Sequence, residues 1–426
     1  MHTADTHVTA IIPTYNRAKY LSQAIASVLG QSAPPSQVIV IDDGSQDETP
    51  DVVAAFGSRV EYIAKPNGGK SSALNVGLRR ATGTLIWIFD DDDIAEPDAL
   101  AKLVSALQNH PQCGFAYGDY DVFTVDDGGR MKSRRVSFPA ADAERLYLAL
   151  MERCFILQQG LLVRKSCYDA VGDFDETLIR SQDLDMILRL ASRYLGVKIP
   201  GIAFHWRQHS GMRGSKNSVV SADRVVDAWV ASGRKILGRI YDTHDLRDFL
   251  PGASYSRELT NEQKVTALLQ RCCIMARKGM WHEAAQDLRQ VREIAQANGT
   301  MKLNAEETAI LRPVFDLFSF APHTFYGAAE FRSVLNEIRP KPLQRDMRAA
   351  IVWSLPFTVG AVLLHRQYAN FWRFLRIYLV LATPGTVLRT IFSRSFLAAA
   401  MELVCARCDT NATRGDAQTT PSVPAA

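Results

Sequence analysis

The chain has 426 residues, 47% of them hydrophobic and 22% charged, with a formal net charge of +4. That length favours two domains and allows a sizeable core, and the composition is that of an ordinary globular protein rather than a disordered or fibrous one. So small a charge excess gives no argument for nucleic acid as a partner. The seven cysteines are odd in number and scattered. Adjacent Cys272 and Cys273 cannot easily bridge each other, which suits a reducing compartment better than a disulfide framework. Cys405-x-x-Cys408 has no second pair to complete a zinc site. The N-terminus lacks a basic segment followed by an apolar one, so no signal peptide is expected and the expected location is cytoplasmic. No stretch reaches the ~20 apolar residues of a membrane-spanning helix. The nearest, Ala349 to Leu364, contains Pro356 and Gly360.

In chain order, Val8 to Ile12 reads as a strand, broken by Pro13-Thr14-Tyr15-Asn16-Arg17. Leu21, Ile25, Val28 and Leu29 then follow at helical spacing. Val38 to Ile41 is a second buried strand, closed by Asp42-Asp43-Gly44-Ser45. A polar helix runs to about Phe56, and Val60 to Ile63 is a weaker third strand. Asn67-Gly68-Gly69 turns into a helix carrying Leu74, Leu78 and Ala81, ended by Thr82-Gly83. The apolar run Leu85 to Phe89 then meets four aspartates, Asp90-Asp91-Asp92-Asp93. Strands and helices in alternation, with nearly continuous apolar strands, predict a doubly wound, mostly parallel α/β sheet. Ligands in such sheets bind beyond the carboxyl ends of the strands, so these polar turns should converge on one crevice.

Clustered carboxylates cannot all ionise cheaply without positive charge among them. Hard oxygen ligands suit magnesium or manganese, with substrate phosphate and water completing the shell. A solvated acidic turn before Pro97 is the alternative. Tyr15 can stack on a base and Arg17 can meet a phosphate, or Asn16 can simply cap a helix. Asp43 can hydrogen-bond a nucleoside or serve only its turn. Lys70 stands at a helix start, which favours anions, although the spacing is not that of a Walker loop. Asp183 falls in the first turn of a helix carrying Leu184, Ile187, Leu188 and Ala191, and is either a cap or a general base. Arg207 and His209 fall in a polar loop after a short strand, Val197 to Ile199, where a diphosphate or metal role is open to them.

Together these motifs resemble the family 2 glycosyltransferases of GT-A fold. The matching stretches are Ile11 to Arg17, Val40 to Ser45, Asn67 to Lys70 with Ala73 to Gly77, and Phe89 to Asp93. Phe174-Asp175-Glu176, Gln182-Asp183 and Arg207-Gln208-His209 continue the order. The resemblance covers about the first 215 residues. It implies that Pro13, Tyr15 and Asp43 hold the nucleoside of a nucleotide-sugar, with Arg17 among the nucleotide-sugar contacts. Lys70, Asp91 and Arg207 would contact the nucleotide or its diphosphate. Asp90, Asp92 and His209 would bind a divalent metal, Mn2+ or Mg2+. Asp183 would be the catalytic base of an inverting transfer, with Asp185 as its competitor. The family's usual Glu-Asp pair reads Gln182-Asp183 here, so a supporting carboxylate is lost. Uridine diphosphate is the implied carrier, and a glycan or lipid-linked hydroxyl the implied acceptor, in cell-surface polysaccharide synthesis. The acceptor region is expected between Cys113 and Val171, with Gln158 and Gln159 as lining candidates. A sugar-phosphate nucleotidyltransferase would announce itself with a Gly-rich basic signature near the first strand, absent here. A non-catalytic scaffold is disfavoured by the aspartate run and Asp183.

The glycosyltransferase domain is expected over 1–220, a mainly α-helical C-terminal domain over 221–408, and a disordered Thr/Ala/Pro-rich tail over 409–426. Leu268, Leu269, Cys272, Cys273 and Ala276 line one helix, and Leu288, Val291 and Ile294 another. Gly279 to Ala284 lies between them, as in a tetratricopeptide-type or generic hairpin. From Arg345 to Arg407 the chain is apolar, aromatic and basic. It fits an anionic membrane surface and the core of a helical domain equally well.

Overall fold

The computed structural model describes residues 7–125, 131–136, 142–208, 225–252, 258–298, 302–316, 319, 321–325, 328–356, 358, 372, 376–377 and 380–381. The chain divides into two compact units, 1–232 and 233–426. Their helices are α1 (Ala18–Leu29), α2 (Thr49–Ala54), α3 (Lys70–Arg80), α4 (Ala99–Asn109), α5 (Leu146–Glu152), α6 (Lys165–Val171), α7 (Gln182–Ala191), α8 (Val225–Thr243), α9 (Asn261–Arg277), α10 (Trp281–Asn298), α11 (Ala305–Leu311), α12 (Ala321–Thr324), α13 (Ala329–Glu337) and α14 (Lys341–Ile351). The division falls inside α8, later in the chain than the expected boundary at 220.

The first unit is built on one sheet of nine strands: β1 (Val8–Thr14), β2 (Gln37–Asp42), β3 (Glu61–Ala64), β4 (Leu85–Ile88), β5 (Ile94–Ala95), β6 (Cys113–Val125), β7 (Met131–Val136), β8 (Leu161–Arg164) and β9 (Leu195–Arg207). The strand order is β3-β2-β1-β4-β8-β6-β9-β5, with β7 also paired to β6. The four strands β3, β2, β1 and β4 are mutually parallel, as their apolar runs predict. Beyond β4 the sheet is mixed. β8 is antiparallel to β4 and to β6, whereas β6 and β9 run parallel. The order reverses direction at β1, placing the open crevice at the carboxyl ends of β1, β2 and β4.

Alternation of side chains sets the two faces. Ala10 and Ile12 join Leu21, Ile25 and Val28 of α1 and Leu100, Leu103 and Leu107 of α4 in one core cluster. Ile11, between them in sequence, points to the other face, where α3 lies close. A Cβ added at Gly77 of α3 would stand 2.5 Å from Ile11 Cγ2. The polar α2 is short, and Pro50 stands in its first turn.

The expected short strand at Val197 is part of a longer one. β9 runs from Leu195 through Pro200-Gly201 to Arg207, with register breaks against β6. Gly201 has φ +82°, a conformation that glycine adopts without cost. The bulge it forms lets the strand resume instead of ending in a loop.

In the second unit, α9 and α10 form the expected hairpin, with Val265, Leu268, Leu269, Cys272, Cys273, Leu288 and Val291 buried. Arg271 of α9 is held 2.7 Å from Asp287 of α10 and lies over the rings of Tyr241 and Phe249. Burial lifts Asp287 to about 6 even beside this guanidinium. Cys113, Cys154, Cys167, Cys272 and Cys273 are buried and form no disulfide. Cys405 and Cys408, residues 409–426 and most of the aromatic-basic segment lie outside the described residues. No helix among the described residues is long and apolar enough to cross a membrane.

Gly77→Ala should destabilise the first unit by about 1–3 kcal/mol through overpacking against Ile11. The check is the urea midpoint of that unit; an unchanged midpoint would refute the close approach of α3 to β1.

Candidate active site

The crevice is assembled from three turns, each tied to another by hydrogen bonds over long sequence separations. At the end of β1, Pro13 is buried and pairs in register with Ile41. The next carbonyl, Thr14, accepts from Asp43 N at 2.9 Å. Asn16 has φ +51°, uncommon for a residue other than glycine but tolerated by Asn. Its amide N donates to Ser45 Oγ at 2.8 Å and its Oδ1 accepts from Gln46 N at 2.7 Å. The β1 and β2 turns are thereby stitched together, with Tyr15 half-buried beside them.

Asp42 and Asp43 have different tasks. Asp42 accepts from Tyr62 Oη at 2.6 Å and from Ser45 N at 2.8 Å. Asp43 Oδ1 accepts from Lys65 Nζ and Gly68 N at 2.7 and 2.9 Å, and its Oδ2 from Gly69 N at 2.7 Å. Its carbonyl takes Asn67 Nδ2 at 2.8 Å. Asp43 therefore shapes the Asn67-Gly68-Gly69 turn. Gly69, with φ +89°, swings the chain into α3, a conformation few other residues accept. α3 begins at Lys70, so its first-turn N–H groups open toward the crevice. Nothing local in the sequence marks Tyr62 as a partner of Asp42 or Lys65 as a partner of Asp43.

The aspartate run leaves β4 directly into this space. Asp90 keeps a side-chain exposure of 22%, against 6% for Asp91 and 8% for Asp92, so Asp90 is the most open to the crevice of the three. Arg17 Nη1 lies 3.0 Å from Asp91 Oδ1 and 2.6 Å from Asp92 Oδ2. Lys70 Nζ lies 2.5 Å from Asp90 Oδ1. Burial works against the charge of both cations, but the surrounding aspartates outweigh it and raise both pKa values. Burial also lifts Asp91 to about 6, with Arg17 opposing and Asp92 assisting. Asp93 is pushed well above the carboxylate range by burial, then by Asp92 and Asp90.

Asp90, Asp92 and Asp93 each bring a carboxylate oxygen within 4.8 Å of the others. This all-oxygen donor set fits a hard divalent cation. Asp93 joins the two aspartates expected from the sequence, while His209 lies outside the described residues. Gln159 Nε2 donates to Asp90 Oδ2 at 2.8 Å and to Asp93 Oδ2 at 2.6 Å. It thus meets the acidic cluster, whereas its buried neighbour Gln158 has an amide with no hydrogen-bond partner.

Arg207 ends β9 rather than standing in a polar loop. It is 6% exposed. Its N donates to Asp93 Oδ1 at 2.8 Å, its Nε to the Asp92 carbonyl at 2.8 Å, and its Nη2 to Gln23 Oε1 at 2.6 Å. The guanidinium also packs over Tyr20 and Phe123. This arginine braces the aspartate loop from beneath.

Asp183 is the second residue of α7, after Ser181 with φ +59°. Its carboxyl is half-buried and within electrostatic reach of Lys70 and Asp90. Burial raises its pKa most; Lys70 opposes this and Asp90 assists. Asp185 is buried and paired with Arg189 at 2.9 Å. The approach to α7 is fixed by Asn75 of α3. Its side chain accepts from Phe174 N at 2.8 Å and donates to Phe174 O and Glu176 Oε1 at 3.0 and 2.9 Å.

Residues 9–167 match the model of glycosyl transferase family 2. This stretch is similar to the family 2 glycosyltransferases. The GT-A expectation for its fold holds. An uncharacterized glycosyltransferase of Rickettsia bellii is 34% identical over 195 residues, covering 44% of this chain and 28% of that protein. A chondroitin synthase of Escherichia coli is 28% identical over 187 residues, covering 43% and 26%. The chain thus spans less than a third of the length of these two curated relatives. Among solved structures, S. aureus TarS superposes at a TM-score of 0.48 with 17% identity, over 77% of this chain and 54% of that one.

Asp43→Asn replaces an acceptor of three N–H groups by a carboxamide that can donate where it must accept. The expected cost is about 1–3 kcal/mol in the absence of any nucleotide. Urea unfolding of the nucleotide-free protein measures it, and full stability in the variant would show that the carboxylate does not hold the glycine turn.

Proposed function

We propose that the first unit is an inverting glycosyltransferase that moves a sugar from a nucleoside-diphosphate sugar to an acceptor hydroxyl. The observation that carries this reading is the meeting of Lys70, the Asp90–Asp92–Asp93 cluster and Asp183 in one crevice. Uridine diphosphate is the proposed carrier, from the family resemblance. The chondroitin synthases among the relatives support a glycan acceptor and polysaccharide synthesis.

In this reading the nucleoside lies over Tyr15 and the turns shaped by Asp43. Arg17 and Lys70, now held by aspartates, supply positive charge to the diphosphate. Asp90, Asp92 and Asp93 would hold a divalent cation, which would neutralise charge on the departing diphosphate. Asp183 accepts the proton of the acceptor hydroxyl as that oxygen attacks the anomeric carbon, while the bond to the diphosphate breaks. One displacement inverts the configuration. The lifted pKa of Asp183 makes it a stronger base than a solvated aspartate, provided the pH is high enough to ionise it.

A panel of nucleotide-sugars, assayed for sugar release or transfer with Mn2+ and with chelator, tests the reading. Absence of release or transfer from every donor in the presence of metal would end it, and a product that retains its anomeric configuration by NMR would end the single-displacement mechanism.

Asp183→Asn should lower turnover by about 100-fold or more, with donor affinity nearly unchanged in calorimetry. A base is active when deprotonated, so turnover should fall as pH drops through the raised Asp183 pKa. The acid limb of the kcat profile is therefore expected above the usual aspartate value of about 3.9. A limb at or below that value, or an active asparagine variant, removes Asp183 from the base role.

A further inference from the structure

The acidic cluster contains a feature that the proposed chemistry has not used. Gln159 is 5% exposed, and its one side-chain nitrogen serves two carboxylates, Asp90 Oδ2 and Asp93 Oδ2. The position is set by the sheet. β8 runs antiparallel to β4 with Leu85 opposite Arg164, Ile86 opposite Val163 and Trp87 opposite Leu162. Extending that register past the strand ends sets Gln159 across from Asp90.

The backbone of Gln159 is anchored as well. Trp87 Nε1, on the same strand that delivers the aspartates, donates to the Gln159 carbonyl at 2.8 Å. Gly160 N closes a turn on Leu157 O at 3.0 Å. Gly160 is packed so closely that an added Cβ would stand 3.1 Å from both Gly118 O and Phe204 Cε1. The carboxamide is therefore presented from a fixed backbone.

Both oxygens of both carboxylates are engaged. Asp90 is shared between Lys70 and Gln159, and Asp93 between Arg207 N and Gln159. A carboxamide has two N–H groups, so it can hold two carboxylates at once, yet it carries no charge. A lysine or arginine here would hold them too, but would cancel charge that a divalent cation needs. An apolar side chain would leave the mutual repulsion of Asp90 and Asp93 unopposed at this edge. Neutral donation to two acids preserves the negative field while fixing where the oxygens stand.

We propose that Gln159 is a positioning residue: a neutral clamp that holds Asp90 and Asp93 side by side as two of the three carboxylates of a divalent-cation site. This rests on the reading of that cluster as the cation site of the transferase. Partners that orient metal ligands typically contribute roughly 10–100-fold in metal affinity.

The test uses the full chain and Mn2+ alone, with free Mn2+ followed by electron paramagnetic resonance. Gln159→Met keeps the length and removes both donors. Its Mn2+ dissociation constant should rise roughly 10–100-fold, and turnover with a nucleotide-sugar should recover as Mn2+ is raised. Gln159→Lys should lose Mn2+ binding without recovery, because the added charge stays in place. If Gln159→Met unfolds, Gln159→Asn, whose carboxamide is withdrawn by one carbon, provides the same comparison. In folded Gln159→Met, or in the asparagine variant that stands in for it, wild-type Mn2+ affinity or lost turnover that excess Mn2+ does not restore overturns the clamp alone. A wild-type chain that binds no Mn2+ overturns the cation site, and the clamp with it.

Discussion

Four consecutive aspartates at the end of a buried strand repel one another, and the rest of the first unit is arranged around that repulsion. Burial raises the pKa values of buried carboxylates, and those of Asp91 and Asp93 are raised here. Two cations oppose this from the crevice side, Arg17 after β1 and Lys70 at the start of α3. Two further groups act from β9 and from the turn before β8. Arg207 braces the loop from β9 through a backbone N–H and a guanidinium bond to a carbonyl. Gln159 joins Asp90 to Asp93. The charge is held, and only partly cancelled, which is what a site for a cation and a diphosphate requires.

The same logic of distant anchoring extends outward. Asp43 does not stand free to meet a base, because three donors of the next turn occupy its carboxylate. It acts by giving Gly68 and Gly69 a fixed course into α3. Asn75, one turn into that helix, then captures the backbone of Phe174 and so sets the approach to Asp183. Asp43 thus holds the segment before α3, and Asn75 the segment before α7. Both contacts join residues far apart in sequence through a short polar side chain.

Much of this architecture is legible in the sequence. Continuous apolar runs such as Val38 to Ile41 and Leu85 to Phe89 read as strands buried on both faces, and helical spacing at Leu21, Ile25 and Val28 marks the covering helix. The carboxyl ends of β1, β2 and β4 then follow, and with them the positions of Tyr15, Asp43 and Asp90. The partners are harder to see. Gln159 sits in an undistinguished Leu157-Gln158-Gln159-Gly160 stretch, and only the antiparallel return of β8 beside β4 carries it to Asp90. Arg207 looks like a loop residue because Pro200-Gly201 reads as a strand end. The bulge that Gly201 permits reverses that reading.

By itself, the sequence determined the alternation of strands and helices, the parallel half of the sheet, and which turns carry carboxylates and cations. Those follow from periodicity and residue chemistry, which are local. Only the tertiary structure decided which oxygen meets which nitrogen: Arg17 with Asp92, Lys70 with Asp90, Gln159 with Asp90 and Asp93, and Arg207 with Asp92 and Asp93. Pairings of that kind depend on strand order and register, which are set by the packing of the whole sheet and are not written in any short stretch of chain.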